Sequence, residues 1–148
     1  MTELNAEGFY HFTDTYFEKI LTWKNAHCAV CKLDDEIVTA AVFLLEANTI
    51  EYHLSASHEA GKKLGSVYLL MHEAALYGQQ LGCKTLHLGG GTDNNPDNPL
   101  LFFKSRFSNL RTPFKIGKQI YTKEVYNQMK NEWQDKHGAI VNRVLFYR

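Results

Sequence analysis

No run of apolar residues in this chain approaches the roughly 18 needed to span a bilayer. The opening stretch MTELNAEGFYHF holds neither the basic nor the apolar segment of a secretory signal, so the expectation is a cytoplasmic protein without a membrane span. Cysteine is scarce as well: Cys28, Cys31 and Cys83 are an odd number in 148 residues, a length that builds a core without cross-links. A disulfide framework is therefore not expected, and the thiols read as reduced. Repeats, low-complexity tracts and linkers are missing, which predicts one domain over residues 1–148. Formal net charge is zero, and so small a basic excess argues against DNA or extensive nucleic-acid contact.

Several catalytic signatures are missing too. CAVC at 28–31 has metal or redox spacing, but a strand places its two thiols on opposite faces and no second pair completes a zinc site, so no metal is expected. MHEAA is not a zinc-protease helix, because Leu76 stands where the second histidine would fall. Neither a Walker motif, a GxGxxG fingerprint nor a GxSxG elbow occurs.

What is present is an alternation of strand and helix patterns. FTDTYFEKILTWKN predicts a helix over about 13–24 with Thr13 as its cap. HCAVCKL and IVTAAVFLLEA, joined by DDE, predict an antiparallel hairpin, and TIEYHLSAS a third strand of the same meander. Apolar residues from Val67 to Leu81 recur at helical spacing up to Gly82, and KTLHLGGG comes next as a short buried strand. Strand, helix and strand with short joints make a right-handed crossover, so EYHLSAS and TLHL should lie parallel. Asn98 and Pro99 open a helix over LLFFKSRFS. FKIGKQIYT then reads as a strand, KEVYNQMKNEWQDKH as a helix closed by Gly138, and NRVLFYR as a last strand. Tyr126, Trp133, Phe146 and Tyr147 read as core and covering surface. The predicted class is α/β (α+β), a mixed sheet with helices on its faces.

Charge is distributed unevenly. Residues 1–60 carry ten acids and three bases, and residues 61–148 six acids and thirteen bases. Six bases and no acid lie between Lys104 and Lys123, which suits either a phosphate-bearing partner or a solvated face. Between the third strand and the crossover helix runs SASHEAGKKLGSV. A helix start stabilises phosphate, Gly61 and Gly65 permit close backbone approach, and Lys62 and Lys63 add charge; taken alone, the same residues read as a turn. Gly89, Gly90 and Gly91 stand after a buried strand at the end where open sheets place ligands, and they equally suit an exit turn. Alternation puts Glu51, His53 and Ser55 on one face of their strand, and Thr85 and His87 on one face of theirs. Two imidazoles could then meet near a cleft, either as a general base or as structural histidines.

In order along the chain, YHLSAS, LHLGGG, LLFFKSRFS, FKIGKQIY, EVYNQM and LFYR resemble the carboxyl-terminal domain of the Fem-type peptidoglycan-bridge transferases. Those belong to the wider GNAT-like acyltransferase superfamily, and the likeness runs from about Phe9 to Arg148. The resemblance implies a mostly antiparallel sheet whose central parallel strands splay apart. It also implies transfer of an acyl group from acyl-CoA, or an aminoacyl group from aminoacyl-tRNA, onto a primary amine, in a bacterial cell-envelope setting. The superfamily's pyrophosphate loop would fall on Lys62, Lys63, Leu64, Gly65, Ser66 and Val67, with lysine in place of Gln or Arg and valine in place of a small residue. Where acetyl-CoA users often carry an acidic tyrosine, this chain reads Phe102, Phe103, Lys104. Fem-type members share the Phe-Lys pair, so the resemblance makes Lys104 the first catalytic candidate and Tyr52 the second. His53 or His87 would accept the amine's proton, backbone amides of Leu54, Ser55 and Ala56 would hold the oxyanion, and acyl-CoA is the preferred donor. Fem-type enzymes pair two such domains. A single one either acts alone, dimerises, forms half of a tandem or serves as a catalytically silent binding module.

Overall fold

The computed structural model describes residues 12–93, 95–138 and 144–147. The chain divides into two compact units, Met1–Asn109 and Leu110–Arg148. In the first, helix α1 (Asp14–Leu21) starts where the hydroxyl of Thr13 accepts the amide of Tyr16 at 3.3 Å, and it buries Ile20. Strands β1 (Ala26–Leu33) and β2 (Glu36–Glu46) form the expected hairpin. Its two turn residues, Asp34 and Asp35, have φ of 48° and 69°, the twist that a two-residue hairpin connection requires. Strand β3 (Thr49–Ser57) pairs antiparallel with β2. Helix α3 (Ser66–Gln80) then crosses over to β4 (Thr85–His87), which pairs parallel with β3 through Thr49–Thr85, Ile50–Leu86 and Glu51–His87. The sheet order is β1-β2-β3-β4.

Alternation along the strands sends Ala41, Phe43 and Ile50 onto α3, where they meet Leu70, Met71 and Ala74 in the core. Each large side chain buried there contributes about 1.5–3 kcal/mol. At Gly78 α3 lies close against the sheet, since a Cβ there would come within 2.9 Å of Ile50 Cγ2. Cys31 packs against this core while Cys28 is exposed, as a strand dictates. Helix α4 (Pro99–Ser105) begins at buried Asn98, whose Oδ1 accepts the amide of Leu101 at 3.0 Å.

Two irregularities decide which side chains face α3. On β2, Cys31 pairs with Thr39 and Lys32 with Ile37, so Val38 is an extra residue. On β3, Tyr52 pairs with Phe43 and Leu54 with Val42, so His53 is an extra residue. Each bulge reverses the alternation downstream of it.

The segment expected to be a loop before α3 is a helix, α2 (Glu59–Leu64), and Gly65 at φ 63° links it to α3. The Val38 bulge docks it: His58 donates its amide to the Val38 carbonyl at 2.8 Å. Thr39 lies beneath and joins Ser57 at 2.9 Å and Ser66 at 2.5 Å.

In the second unit, α5 (Lys123–His137) ends at Gly138, φ 62°, as the sequence suggests. Phe146 is buried against Tyr126 and Trp133, and the Tyr126 hydroxyl donates to the Val144 carbonyl at 2.9 Å. The expected strand FKIGKQIYT is corrected: residues 111–120 carry no regular structure, and Phe114 and Ile116 are 89% and 75% exposed. Alternation alone does not make a strand without a ladder partner. Of the expected strand NRVLFYR, residues 144–147 form bends and a turn, and the remaining residues lie outside those described. Among the described residues, the parallel pair β3 and β4 follows the antiparallel strands in a four-stranded mixed sheet. Among the described residues, no helix is long and apolar enough to cross a membrane.

Candidate active site

Pairing between β3 and β4 stops after Glu51 and His87. Beyond it β3 continues to Ser57 along β2, while the other chain leaves through Leu88 and the three glycines. From Tyr52 onward, the edge of β3 that faces away from β2 therefore has no ladder partner among the described residues. That opening gathers several of the candidate side chains.

Lys104, in the last turn of α4, donates from Nζ to the carbonyl oxygen of Gly90 at 2.8 Å and lies 5.7 Å from the centre of the Tyr52 ring. Gly89 makes room for it: its φ is 70°, and a Cβ there would stand 3.3 Å from Nζ. Burial holds the ammonium below the usual lysine range, and the carboxylate of Glu51 opposes that shift. Burial likewise raises the phenol of Tyr52, against a hydrogen bond with the hydroxyl of Ser55.

The contact between Tyr52 and Ser55 corrects the expected face assignment. Regular alternation groups Ser55 with Glu51 and His53. The extra residue at His53 instead moves Ser55 and Ser57 onto the α3 face with Tyr52. The two imidazoles are not paired with each other either. The Nε2 of His53 lies 2.5 Å from the hydroxyl of Tyr16 on α1, whereas Nδ1 of His87 stands 3.8 Å from Glu51 Oε2.

The remaining candidates separate. Gly61 is corrected from a position of close ligand approach to a packing position: it is buried, and a Cβ there would lie 2.3 Å from the Val38 oxygen and 2.6 Å from Thr39 Oγ1. Ser66 is also buried, facing Thr39 and the Gly61 carbonyl. Lys62 and Lys63 sit on α2 just ahead of α3, and Lys63 is 3.7 Å from Glu59. Gly65, at the N-cap of α3, offers no side chain to cap it. Leu54, Ser55 and Ala56 pair with β2 on one edge, and along their other edge β3 has no ladder partner among the described residues. A Cβ on Gly91 would strike Asn98 Oδ1 at 2.7 Å, so that glycine serves the start of α4, whereas Gly90 faces open space. Phe103 packs its ring 5.3 Å from both Tyr68 and Phe107, which anchors α4 to α3. Among the described residues, no group of three His, Cys, Asp or Glu side chains could hold a metal ion.

A family model described as an acetyltransferase (GNAT) domain matches residues 4–100, about two-thirds of the chain. The chain belongs to the GNAT acetyltransferase family. Its fold agrees with solved members. An aminoglycoside acetyltransferase from an uncultured soil metagenomic sample, in complex with trehalose, is 16% identical, with TM-score 0.55, covering 82% of this chain and 81% of that one. The aminoglycoside 6'-N-acetyltransferase AAC(6')-Ig of Acinetobacter haemolyticus is 14% identical, with TM-score 0.51, covering 73% and 78%. AAC(6')-Iy, bound to a bisubstrate analogue of CoA and acetylneamine, is 13% identical, with TM-score 0.53, covering 80% and 88%. No curated protein matches the chain. In this GNAT domain, sequence reasoning missed Tyr16 and Glu51 as partners of the site. The helical spacing of α1 marks Phe17, Ile20 and Leu21 as its inward face and passes over Tyr16. Glu51 was visible only as a neighbour of His53.

Proposed function

We propose that this GNAT domain moves an acyl group from acyl-CoA to a primary amine. The observation that carries the reading is Lys104, half-buried and held by the Gly90 carbonyl where β3 and β4 part, in a chain matched by a GNAT acetyltransferase model. A fixed ammonium at that point stabilises negative charge that develops as a thioester is cleaved. Tyr52, beneath it, supplies a hydroxyl where Phe102 and Phe103 leave none on α4. Within Leu54–Ala56, amides that point away from β2 suit the oxyanion, and His53 or His87 suits the amine's proton.

The fit to a CoA thioester rests on the head of α3. That helix has no side-chain cap, Gly65 turns the chain into it, and Lys62 and Lys63 stand just before it, so anionic groups are favoured there. Bound there, acyl-CoA would supply the activated carbonyl and a thiol leaving group. The AAC(6')-Iy complex with a CoA-containing analogue supports this donor over the aminoacyl-tRNA implied by the Fem-type resemblance. Zero net charge points the same way. The aminoglycoside enzymes of the same fold support an amine acceptor.

Calorimetry with acetyl-CoA tests the reading. Saturable binding that weakens in Lys62→Ala/Lys63→Ala is expected. Failure to bind any acyl-CoA would overturn it and leave a catalytically silent binding or assembly module.

A further inference from the structure

Tyr16 reaches from α1 to the active-site strand, and neither the alternation of β3 nor the spacing of α1 anticipates it. It meets His53, the bulge residue, which has no pairing partner on β2. We infer that Tyr16 is a positioning residue that fixes His53 as the base for the acceptor amine. This rests on the acyl-transfer reading of the site.

Three observations support the assignment. The phenol is held in place: its ring stacks on Phe12 at 4.4 Å and meets Phe17 edge-on at 5.4 Å. Its oxygen touches Nε2 of His53, so an Nε2–H donated to Tyr16 leaves the lone pair on Nδ1 free to take a proton. The groups assigned to the donor lie elsewhere, since Tyr52, Ser55 and Ser57 share the α3 face with Thr39 and Ser66. Glu51, two residues before His53 and opposite in alternation to Tyr52, offers a half-exposed carboxylate to an arriving ammonium.

The step balances. The acceptor arrives as an ammonium and gives one proton to Nδ1 of His53. Its freed lone pair forms the new C–N bond as the C–S bond of the thioester breaks and its electron pair leaves on sulfur. The second proton goes from nitrogen to that sulfur, giving amide and thiol, and His53 returns its proton to solvent.

Tyr16 from α1 contacts His53, Glu51 stands two residues before it on its own strand, and β2 presents Val42 and Phe43 beside the bulge. With an Nε2–H donated to Tyr16, His53 is held in one tautomer, a constraint that loss of the phenol hydroxyl removes. The test compares wild type, Tyr16→Phe and His53→Gln by reading the imidazole nitrogen resonances, which report the tautomer, in the free protein. Acetyl transfer to a panel of primary amines that includes sisomicin is measured in parallel. Tyr16→Phe is expected to lose the single-tautomer signature of His53. Its kcat should fall less than that of His53→Gln, which should lose about a hundredfold or more. Acetyl-CoA affinity should be unchanged in both. An unchanged His53 tautomer in Tyr16→Phe, or a loss of acetyl-CoA binding in that variant, overturns the inference. Absence of acetyl-CoA binding in the wild type instead defeats the acyl-transfer reading, while the free-protein tautomer still decides whether Tyr16 governs His53.

Discussion

Tyr52 and His53 are adjacent in sequence but belong to opposite sides of the site. Tyr52 turns toward α3, bonds Ser55 and lies beneath Lys104; its phenol and that ammonium are both displaced by burial toward their neutral forms. His53 turns away from this group and meets Tyr16. Alternation alone separates the two side chains, and the extra residue at His53 brings Ser55 and Ser57 back onto the α3 face with Tyr52. On the proposed reading, one strand thus presents a leaving-group side and a base side without a second element between them.

Deleting His53 is the most drastic way to break this contrast. The deletion removes the imidazole that meets Tyr16 and regularises the strand, with Leu54 still opposite Val42 and Ser55 opposite Ala41, so Ser55 and Ser57 keep their places beside Tyr52 and Thr39. The expected outcome is loss of detectable transfer with acetyl-CoA affinity retained and stability in urea unfolding lowered by about 1 kcal/mol. A deletion variant that still transfers would show that His53 does not serve the acceptor.

Lys104→Met should be less destructive. It removes the ammonium above Tyr52 with little change of volume, and transfer should fall about a hundredfold while the protein stays folded. The pH profile adds a sign. Burial lowers the folded-state pKa of Lys104, so its charge is lost at a lower pH than that of a free lysine, and activity should decline as pH rises through that point. Stability runs the other way. In this window the unfolded chain binds the proton that the folded chain has lost, so the stability cost of burying Lys104 diminishes as pH rises through the folded value. Lys104→Met should abolish both trends, and profiles identical to wild type would remove Lys104 from the mechanism.

Gly61→Ala sharpens the comparison by its mildness at the site. The added methyl would collide with the Val38 carbonyl and Thr39, costing about 1–3 kcal/mol of stability. Acetyl-CoA affinity should remain unchanged in calorimetry, because Gly61 faces the sheet. A large affinity loss in a folded Gly61→Ala protein would restore it as part of the phosphate site.

Much of the fold was legible because periodicity records which faces are covered. The hairpin, β3, the crossover through α3, the capped start of α4 and the Gly138 end of α5 all arise from alternation, helical spacing and cap residues. The parallel alignment of β3 with β4 was implied by the short joints between them. Bulges were not legible, since an extra residue changes the faces downstream without changing composition. Val38 and His53 therefore gave no warning that α2 would dock or that Ser55 would turn to Tyr52. The stretch around Gly61 read as a loop because its glycine and lysines are turn-like, and only the contact with Val38 and Thr39 shows why a glycine is required in a helix there. In residues 114–121 the pattern was present but a ladder partner was not, so exposure won over propensity.

The central claim is that Lys104 supports acyl transfer from acyl-CoA to an amine at the opening between β3 and β4. Its most direct test is to incubate the protein with acetyl-CoA and primary amines and to follow free thiol together with acetylated amine by mass. Wild type should release thiol and acetyl-amine in equal amounts, at a rate reduced about a hundredfold in Lys104→Met. Thiol release without an acetylated amine, or transfer undiminished by Lys104→Met, would contradict it.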